Sequence, residues 1–421
     1  MRREQDVPHA IHAVKPKRIY DPIHRFIELG AGEVALLSSP VVQRLRRLRQ
    51  LGLAYLAFPS AEHSRFSHAL GALAIGTRVF DALRDHAPDA FGSERDFAEQ
   101  RRLLRASLLL HDLGHGPFSH ACEAVLGVRH ESRTRAILEL PDLRAAIAAL
   151  EVDPDAVLGL ITGAHDADPL LRELVSGPNL DADRMDYLLR DAYFTGVSVG
   201  NYDAEQLIAS LRVFDVGGRR ELGVDGRGTV ALESFVLARY MMFATVYFHH
   251  TTRAFERVLR EVLELLWPDP RALDEIAEFL DWDDFRVLDA IREIDDDGVR
   301  ALRERRTVYG LAAEFNAERD LLTFEACESA LRSRYGEAIW SDSQEQLLHR
   351  LPLGTAGGTP TVRVRLMGRI VDARSASDLI AKLSGKAYWR KLFVRSDVAP
   401  VDEARAVCAE IIATGGQPRL F

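Results

Sequence analysis

The fourteen histidines of this chain are unevenly placed, crowding between His63 and His130. The densest group is LLLHDLGHGPFSH, Leu108 to His120, where an apolar run meets His111–Asp112 and then two glycines, a proline, His115 and His120. A single buried histidine is usually a hydrogen-bonded core residue. Imidazoles combined with carboxylates point instead to a divalent metal ion, for which nitrogen and oxygen donors are suited. His68 sits within one helical pattern, His111–Asp112 closes a second and Asp183 opens a third, so ligands from three helix positions can enclose one ion. Neighbours on a regular helix project about 100° apart. His111 and Asp112 therefore reach a common ion only at a helix end, which Gly114, Gly116 and Pro117 are expected to supply.

The elements that must carry these side chains are mostly helices. Helical spacing or capping residues mark Ser38–Gly52, Ser64–His86, Asp96–Asp112, Asp181–Gly196 and one long helix over Leu232–Trp267. Leu211–Asp225 reads as a hairpin about Gly217–Gly218, while Thr359–Asp372 and Lys391–Asp397 are later strand candidates. The expected fold is mainly α, a helical core with a small β-hairpin and a small α+β C-terminal region. The expected division is a tail over 1–16, a core over 17–270, a helical extension over 271–355 and an α+β region over 356–421.

Composition narrows the classes of function. The net charge of −9 argues against a general nucleic-acid surface, and RLRRLRQ (Arg44–Gln50) is expected to be one face of a helix. Three cysteines without paired spacing fit neither a disulfide framework nor a cysteine zinc site, and a reducing, cytoplasmic location is expected. No apolar run approaches the roughly 20 residues needed to span a bilayer, so no membrane partner is expected. The first twenty residues lack the apolar segment of a secretory leader.

His68, His111–Asp112 and Asp183 match in order the H…HD…D signature, and the chain resembles the HD-domain metal-dependent phosphohydrolases. Five segments carry a closer resemblance, to the deoxynucleoside triphosphate triphosphohydrolase branch: KRIYDPIHRFIEL (17–29), QRLRRLRQLG (43–52), FPSAEHSRFSHALG (58–71), HDLGHGPFSH (111–120) and DADRMDYLLRD (181–191). With about 16 residues ahead of the match, no sterile-alpha-motif domain is expected. The resemblance implies one divalent ion (Fe, Mn, Zn, Co or Mg) on His68, His111, Asp112 and Asp183, with additional Mg accompanying the substrate phosphates.

Water would attack the α-phosphorus of a dNTP, releasing deoxynucleoside and tripolyphosphate. His120 is the candidate general acid, with Glu123 orienting it; His115 would contact the α-phosphate or the water, and His130 with Glu131 would support them. A triphosphate needs cations, and Arg65, Arg184, Tyr187 and Arg239 match phosphate-holding positions. Gln50 and Asp191 match positions that hold the 3′-hydroxyl, and Leu51 and Tyr247 positions that crowd C2′, so a ribose hydroxyl would be buried unpaired. Some relatives are tetramers activated by guanine nucleotides bound between subunits, and this chain is expected to be a homo-oligomer, a dimer or tetramer. Lys17, Gln43 and Arg46 match that regulatory site, but Ser38 replaces an aspartate and Arg18 and Tyr20 also depart, so weak or altered GTP dependence is expected. The alternatives are a phosphohydrolase for another nucleotide phosphoester, and a nucleotide-sensing scaffold without turnover.

Overall fold

A computed structural model describes residues 15–177, 179–347, 362–383 and 386–414. The chain begins as an antiparallel hairpin, β1 (Lys17–Asp21) and β2 (Arg25–Leu29). The Asp21 carboxylate closes its turn by accepting the Ile23 and His24 N–H groups, both at 2.9 Å. Helix α1 (Pro40–Arg44) runs on for one 3-10 turn, Leu45–Arg47, and stops there. The helix expected as far as Gly52 is thus cut short. Leu48 turns extended and its carbonyl accepts from the Arg65 N–H at 2.9 Å, while the Gln50 N–H donates to the His63 carbonyl at 2.9 Å. A short antiparallel bridge, Arg49 to Ser64, satisfies the backbone that a helix would have satisfied locally.

Helix α2 (Arg65–His86) starts where the Ser64 hydroxyl accepts from the Ser67 N–H. Helix α3 (Glu94–Leu110) opens with a capping box, Ser93 with Asp96. The short α4 (His120–Leu126) and α5 (His130–Leu138) follow, then α6 (Ala182–Thr195), whose first turn is capped by Asp181 accepting the Arg184 N–H at 2.8 Å. Helix α2 packs between α3 and α6, which brings the beginning of α2, the end of α3 and the beginning of α6 to one place. The expected hairpin forms as β3 (Leu211–Val216) and β4 (Arg219–Asp225).

The helix expected over Leu232–Trp267 is two helices, α7 (Thr229–Met242) and α8 (His250–Leu266), separated by a π-helical turn, Phe243–Tyr247. The segment Gly226–Tyr247 has the length and hydropathy of a membrane-crossing helix. It carries the buried Arg239 and packs its Leu232, Phe235 and Val236 into the core, and we treat it as a core helix.

The span 271–355, expected to be helical, holds α9 (Asp284–Ala290) and α10 (Leu321–Tyr335) but also two strands, β5 (Tyr309–Phe315) and β6 (Ile339–Leu347). The single strand expected over Thr359–Asp372 is a hairpin, β7 (Arg363–Leu366) and β8 (Arg369–Asp372), with residues 359–361 outside the described part. Strand β7 pairs in parallel with β4, so the late residues extend the early hairpin into one sheet, β3-β4-β7-β8. The last strand, β9 (Lys386–Arg395), lies between β5 and β6, antiparallel to both, and α11 (Val401–Ala413) packs on β5. The residues paired with β5 lie 75–86 positions away along the chain and those paired with β6 lie 39–55 away, which a local reading of the sequence does not see.

Candidate active site

The first turn of α2, the residues closing α3 and the first turn of α6 bring four side chains together. His68 Nε2 is 2.9 Å from Asp183 Oδ1, 3.2 Å from His111 Nε2 and 3.9 Å from Asp112 Oδ2. His111 Nε2 is 3.6 Å from Asp112 Oδ1 and 3.7 Å from Asp183 Oδ1. The donors suit a divalent ion: His68, His111 and Asp112 each offer a ligand atom within 4.8 Å of the others, and Asp183 Oδ1 approaches both imidazoles. Both rings also have their other nitrogen engaged. His111 Nδ1 donates to the Leu108 carbonyl at 2.8 Å, and His68 Nδ1 to Asp186 Oδ2 at 2.8 Å, which leaves each Nε2 lone pair for a cation.

The helix end works differently from the expectation. Helix α3 closes at Leu110, with His111 as its C-cap, so Gly114 and Gly116 do not end it. Gly114 is needed for close packing instead: a Cβ there would stand 2.1 Å from the His130 carbonyl oxygen and 2.3 Å from Thr134 Oγ1.

Behind the quartet lies a buried network that sequence reasoning missed. Asp186 accepts from His68, from His24 Nε2 at 2.6 Å and from Arg190 Nε and Nη2, both at 2.9 Å. Arg190 in turn donates to Asp21 at 2.8 Å. Helix α2 makes room for this with Gly71, whose Cβ would collide with Asp186 and Arg190. Asp183 and Asp186, three apart at the start of α6, are the signal that could have pointed to it. Burial opposes a charge on His68, yet Asp183 and Asp186 outweigh it and raise its pKa to about 10. The site therefore favours a positive charge at this point.

Beyond Asp112 is a second group of imidazoles. His115 Nε2 lies 3.2 Å from Asp112 Oδ1, and the His115 and His130 rings stack with centroids 4.1 Å apart. Burial, with Arg65 nearby, pushes the His115 pKa down to about 3, so it is neutral near pH 7. Burial opposes a charge on His130, but Glu123 at 2.9 Å overrides it and raises its pKa; Glu131, the expected partner, is at 3.7 Å. His120 is the first residue of α4, and its side chain lies outside the described residues.

A cleft of about 790 Å³ opens beside the quartet, and Gln50, Leu51, Arg65, Ser119, Tyr187, Asp191 and Tyr247 line it. Arg65 links cleft and quartet: it donates to Asp112 Oδ2 at 2.7 Å and to the Ser119 hydroxyl at 2.7 and 3.2 Å. Asp191 accepts from the Tyr247 hydroxyl at 2.8 Å and pairs with His63 Nε2 at 2.7 Å. Tyr247 is the last residue of the π turn. Arg184 and Arg239 lie outside this lining. Arg184 donates to the Gly177 carbonyl at 2.6 Å and pairs with Asp181. Arg239 is buried, and among the described residues its Nε and Nη1 have no hydrogen-bond partner. Within the chain, Lys17 is not brought to Gln43 and Arg46. Arg46 donates to Gln43 Oε1 at 2.8 Å and lies over the Phe66 ring, whereas Lys17 lines a different cavity, against β1 and β2.

Residues 202–332 match the family model described as an HD associated region. An uncharacterized protein of Bacillus subtilis, YwfO, is 39% identical over 247 residues, 58% of this chain and 54% of that protein. The human deoxynucleoside triphosphate triphosphohydrolase SAMHD1 is 30% identical over 239 residues, 49% of this chain and 37% of that one. The chain spans about half the length of the curated relatives it matches first. Two crystal structures superpose over nearly their whole length. A hypothetical protein from Aquifex aeolicus has a TM-score of 0.77 at 30% identity, covering 93% of this chain and 99% of that one. A phosphohydrolase from Bacteroides thetaiotaomicron has a TM-score of 0.71 at 25% identity, covering 90% and 100%.

Proposed function

The chain belongs to the HD-domain phosphohydrolases, and from that premise we propose that it hydrolyses deoxynucleoside triphosphates to deoxynucleoside and tripolyphosphate. The observation that carries this reading is Arg65, which joins the His68–His111–Asp112–Asp183 quartet to a cleft lined by Gln50, Asp191 and Tyr247. A divalent cation held by the quartet would polarise a phosphoryl oxygen and acidify water beside it.

The side chains divide the remaining work. Arg65, already hydrogen-bonded to Asp112 and Ser119, would lay a guanidinium edge against the α-phosphate. Neutral His115 would hold the water or the α-phosphate through a ring nitrogen, and the Glu123–His130 pair would fix that ring by stacking. His120 would give its proton to the leaving oxygen, C5′–O. Arg239, with two unpartnered N–H groups, and Arg184 would take the outer phosphates. The Asp191–Tyr247 hydrogen bond would close the sugar pocket against a 2′-hydroxyl. Ser38 donates to the Val34 carbonyl at 2.8 Å and offers guanine no carboxylate, so turnover without added GTP is expected.

The test is metal analysis of the purified protein, followed by product chromatography with each of the four dNTPs and with GTP. Intact tripolyphosphate with free deoxynucleoside supports the reading. Release of orthophosphate, or turnover only of another nucleotide phosphoester, overturns the assignment to dNTPs and leaves the family intact. A metal-loaded protein that binds dNTPs without any product would be a sensing scaffold.

A further inference from the structure

We propose that Asp284 is a positioning residue for the cleft: its carboxylate fixes, through two main-chain N–H groups, both backbone segments that border the cation site and the sugar pocket. The inference rests on the dNTP reading for the meaning of the cleft, not for the contacts themselves. Asp284 is the first residue of α9, fully buried, and outside the lining of the cleft. Its Oδ2 accepts from the Arg49 N–H at 2.9 Å and its Oδ1 from the Phe118 N–H at 2.8 Å. Arg49 leads directly into Gln50, Leu51 and Gly52; Phe118 leads into Ser119. Both sets line the cleft.

The Phe118–Ser119 segment needs such a restraint. Both residues have φ of 51°, a region that non-glycine residues seldom occupy, and such geometry persists only where the surroundings over-determine it. The corner holds Arg65 in place: Ser119 accepts two guanidinium hydrogens of Arg65, and Arg65 reaches Asp112. One line of hydrogen bonds thus runs from Asp284 through the strained corner to a residue of the quartet. A second restraint acts from the same place. Arg44, also buried, donates to the His115 carbonyl and to the Trp282 carbonyl, both at 2.9 Å. The corner Trp282–Asp284 is therefore tied to both cleft segments.

A carboxylate suits this role because it has an acceptor oxygen for each N–H, where an amide has one. Burying it carries a cost, seen as a pKa pushed up to about 6 by burial against the help of the two N–H groups. Packing alone would be better served by an apolar residue.

The test compares wild type, Asp284→Asn and Asp284→Glu. In D284N one N–H must face an NH₂ group. Hydrogen exchange by mass spectrometry is expected to speed up roughly tenfold or more in peptides covering 45–52 and 114–121, with α11 unchanged and metal content equal to wild type. The kcat/KM for dNTPs is expected to fall roughly tenfold to a hundredfold, mostly through KM, with the preference for dNTP over NTP narrowed. D284E keeps both acceptors one methylene further out and serves as the folded comparison if D284N does not accumulate. It is expected to keep its metal but to shift the dNTP-to-NTP ratio. Unchanged exchange in both peptides, an unchanged ratio in D284E, or exchange that rises equally in α11, overturns the proposal. If wild type turns over no dNTP, the functional reading fails, and the exchange measurements still decide the role of Asp284.

Discussion

Replacing Asp186 with asparagine should weaken metal binding without touching a ligand. Each carboxylate oxygen of Asp186 takes two donors: Oδ2 accepts from His68 Nδ1 and Arg190 Nε, and Oδ1 from His24 Nε2 and Arg190 Nη2. Asparagine has one acceptor oxygen, so in either orientation its NH₂ faces one of these donor pairs. With the NH₂ toward His68, the ring must give up its Nδ1 hydrogen, and the proton moves to Nε2, where it blocks coordination. With the NH₂ toward His24, His68 is kept but Arg190 loses a bond, and its remaining negative partner is Asp21. Loss of such a supporting partner typically costs 10–100-fold in metal affinity, or about 1.4–2.8 kcal/mol. Stranding part of a buried ion pair costs about 3–5 kcal/mol of stability.

The assay is competitive metal titration of the folded variant, with its thermal unfolding measured with and without metal. D186N should bind at least tenfold more weakly, and the stabilisation by metal should shrink accordingly. Wild-type affinity in a folded D186N would refute the argument that the Asp186 carboxylate, by its charge and its hold on Nδ1, supports a cation at His68.

Three further outcomes are expected. Arg239→Met removes a buried guanidinium whose Nε and Nη1 are unpartnered; the free protein should melt at the same or a higher temperature, while KM for dNTPs rises about tenfold or more, and a lower melting temperature with unchanged KM would count against a phosphate role. His120→Ala should keep metal and substrate binding and lower turnover roughly 10²–10⁴-fold, and loss of the metal instead would make His120 a ligand. Glu173 is pushed up to about 7 by burial and by Asp181, so it binds a proton in the folded chain where the unfolded chain has released it; its contribution is full below about pH 4.5 and is withdrawn as pH rises through 7, about 3 kcal/mol in all. Glu173→Gln should flatten denaturant stability between pH 5 and 8 by that amount, and an unchanged slope would show that Glu173 ionises normally.

The quartet was legible in the sequence because its residues are punctuation as well as candidate ligands. His111 closes a helix, Asp183 opens one and His68 falls in a first turn, and such positions show in local pattern. Asp186 and His24 were not legible, since they meet across 162 residues and neither belongs to the candidate ligand set. The same holds for Asp284, whose two N–H partners lie 235 and 166 residues away. In the fold, the hairpin β3–β4 announced itself through Gly217–Gly218, whereas the break in Leu232–Trp267 did not. The π turn lies within a run that is apolar on both sides, FATVYF, where the period of the helix leaves no mark. Strands β5 and β6 escaped because each is stabilised by β9, far along the chain, rather than by a neighbour in sequence.

The charges around His68 make one more consequence testable. Its ring is fully buried, a setting that ordinarily removes a proton, yet two carboxylates hold the pKa near 10. Near neutral pH the metal-free site therefore keeps a proton where the ion would sit, with Nε2 facing Asp183. Binding a divalent ion must expel that proton, because a protonated nitrogen has no lone pair to give. Calorimetry of metal binding in two buffers of different ionisation enthalpy should report at least one proton released per ion between pH 6 and 8, and apparent affinity should rise about tenfold per pH unit over that range. Binding with no proton released would mean that His68 is neutral in the empty site. Asp183 and Asp186 would then be balanced by some other cation, and the inference that the site is built to hold positive charge at this point would fall.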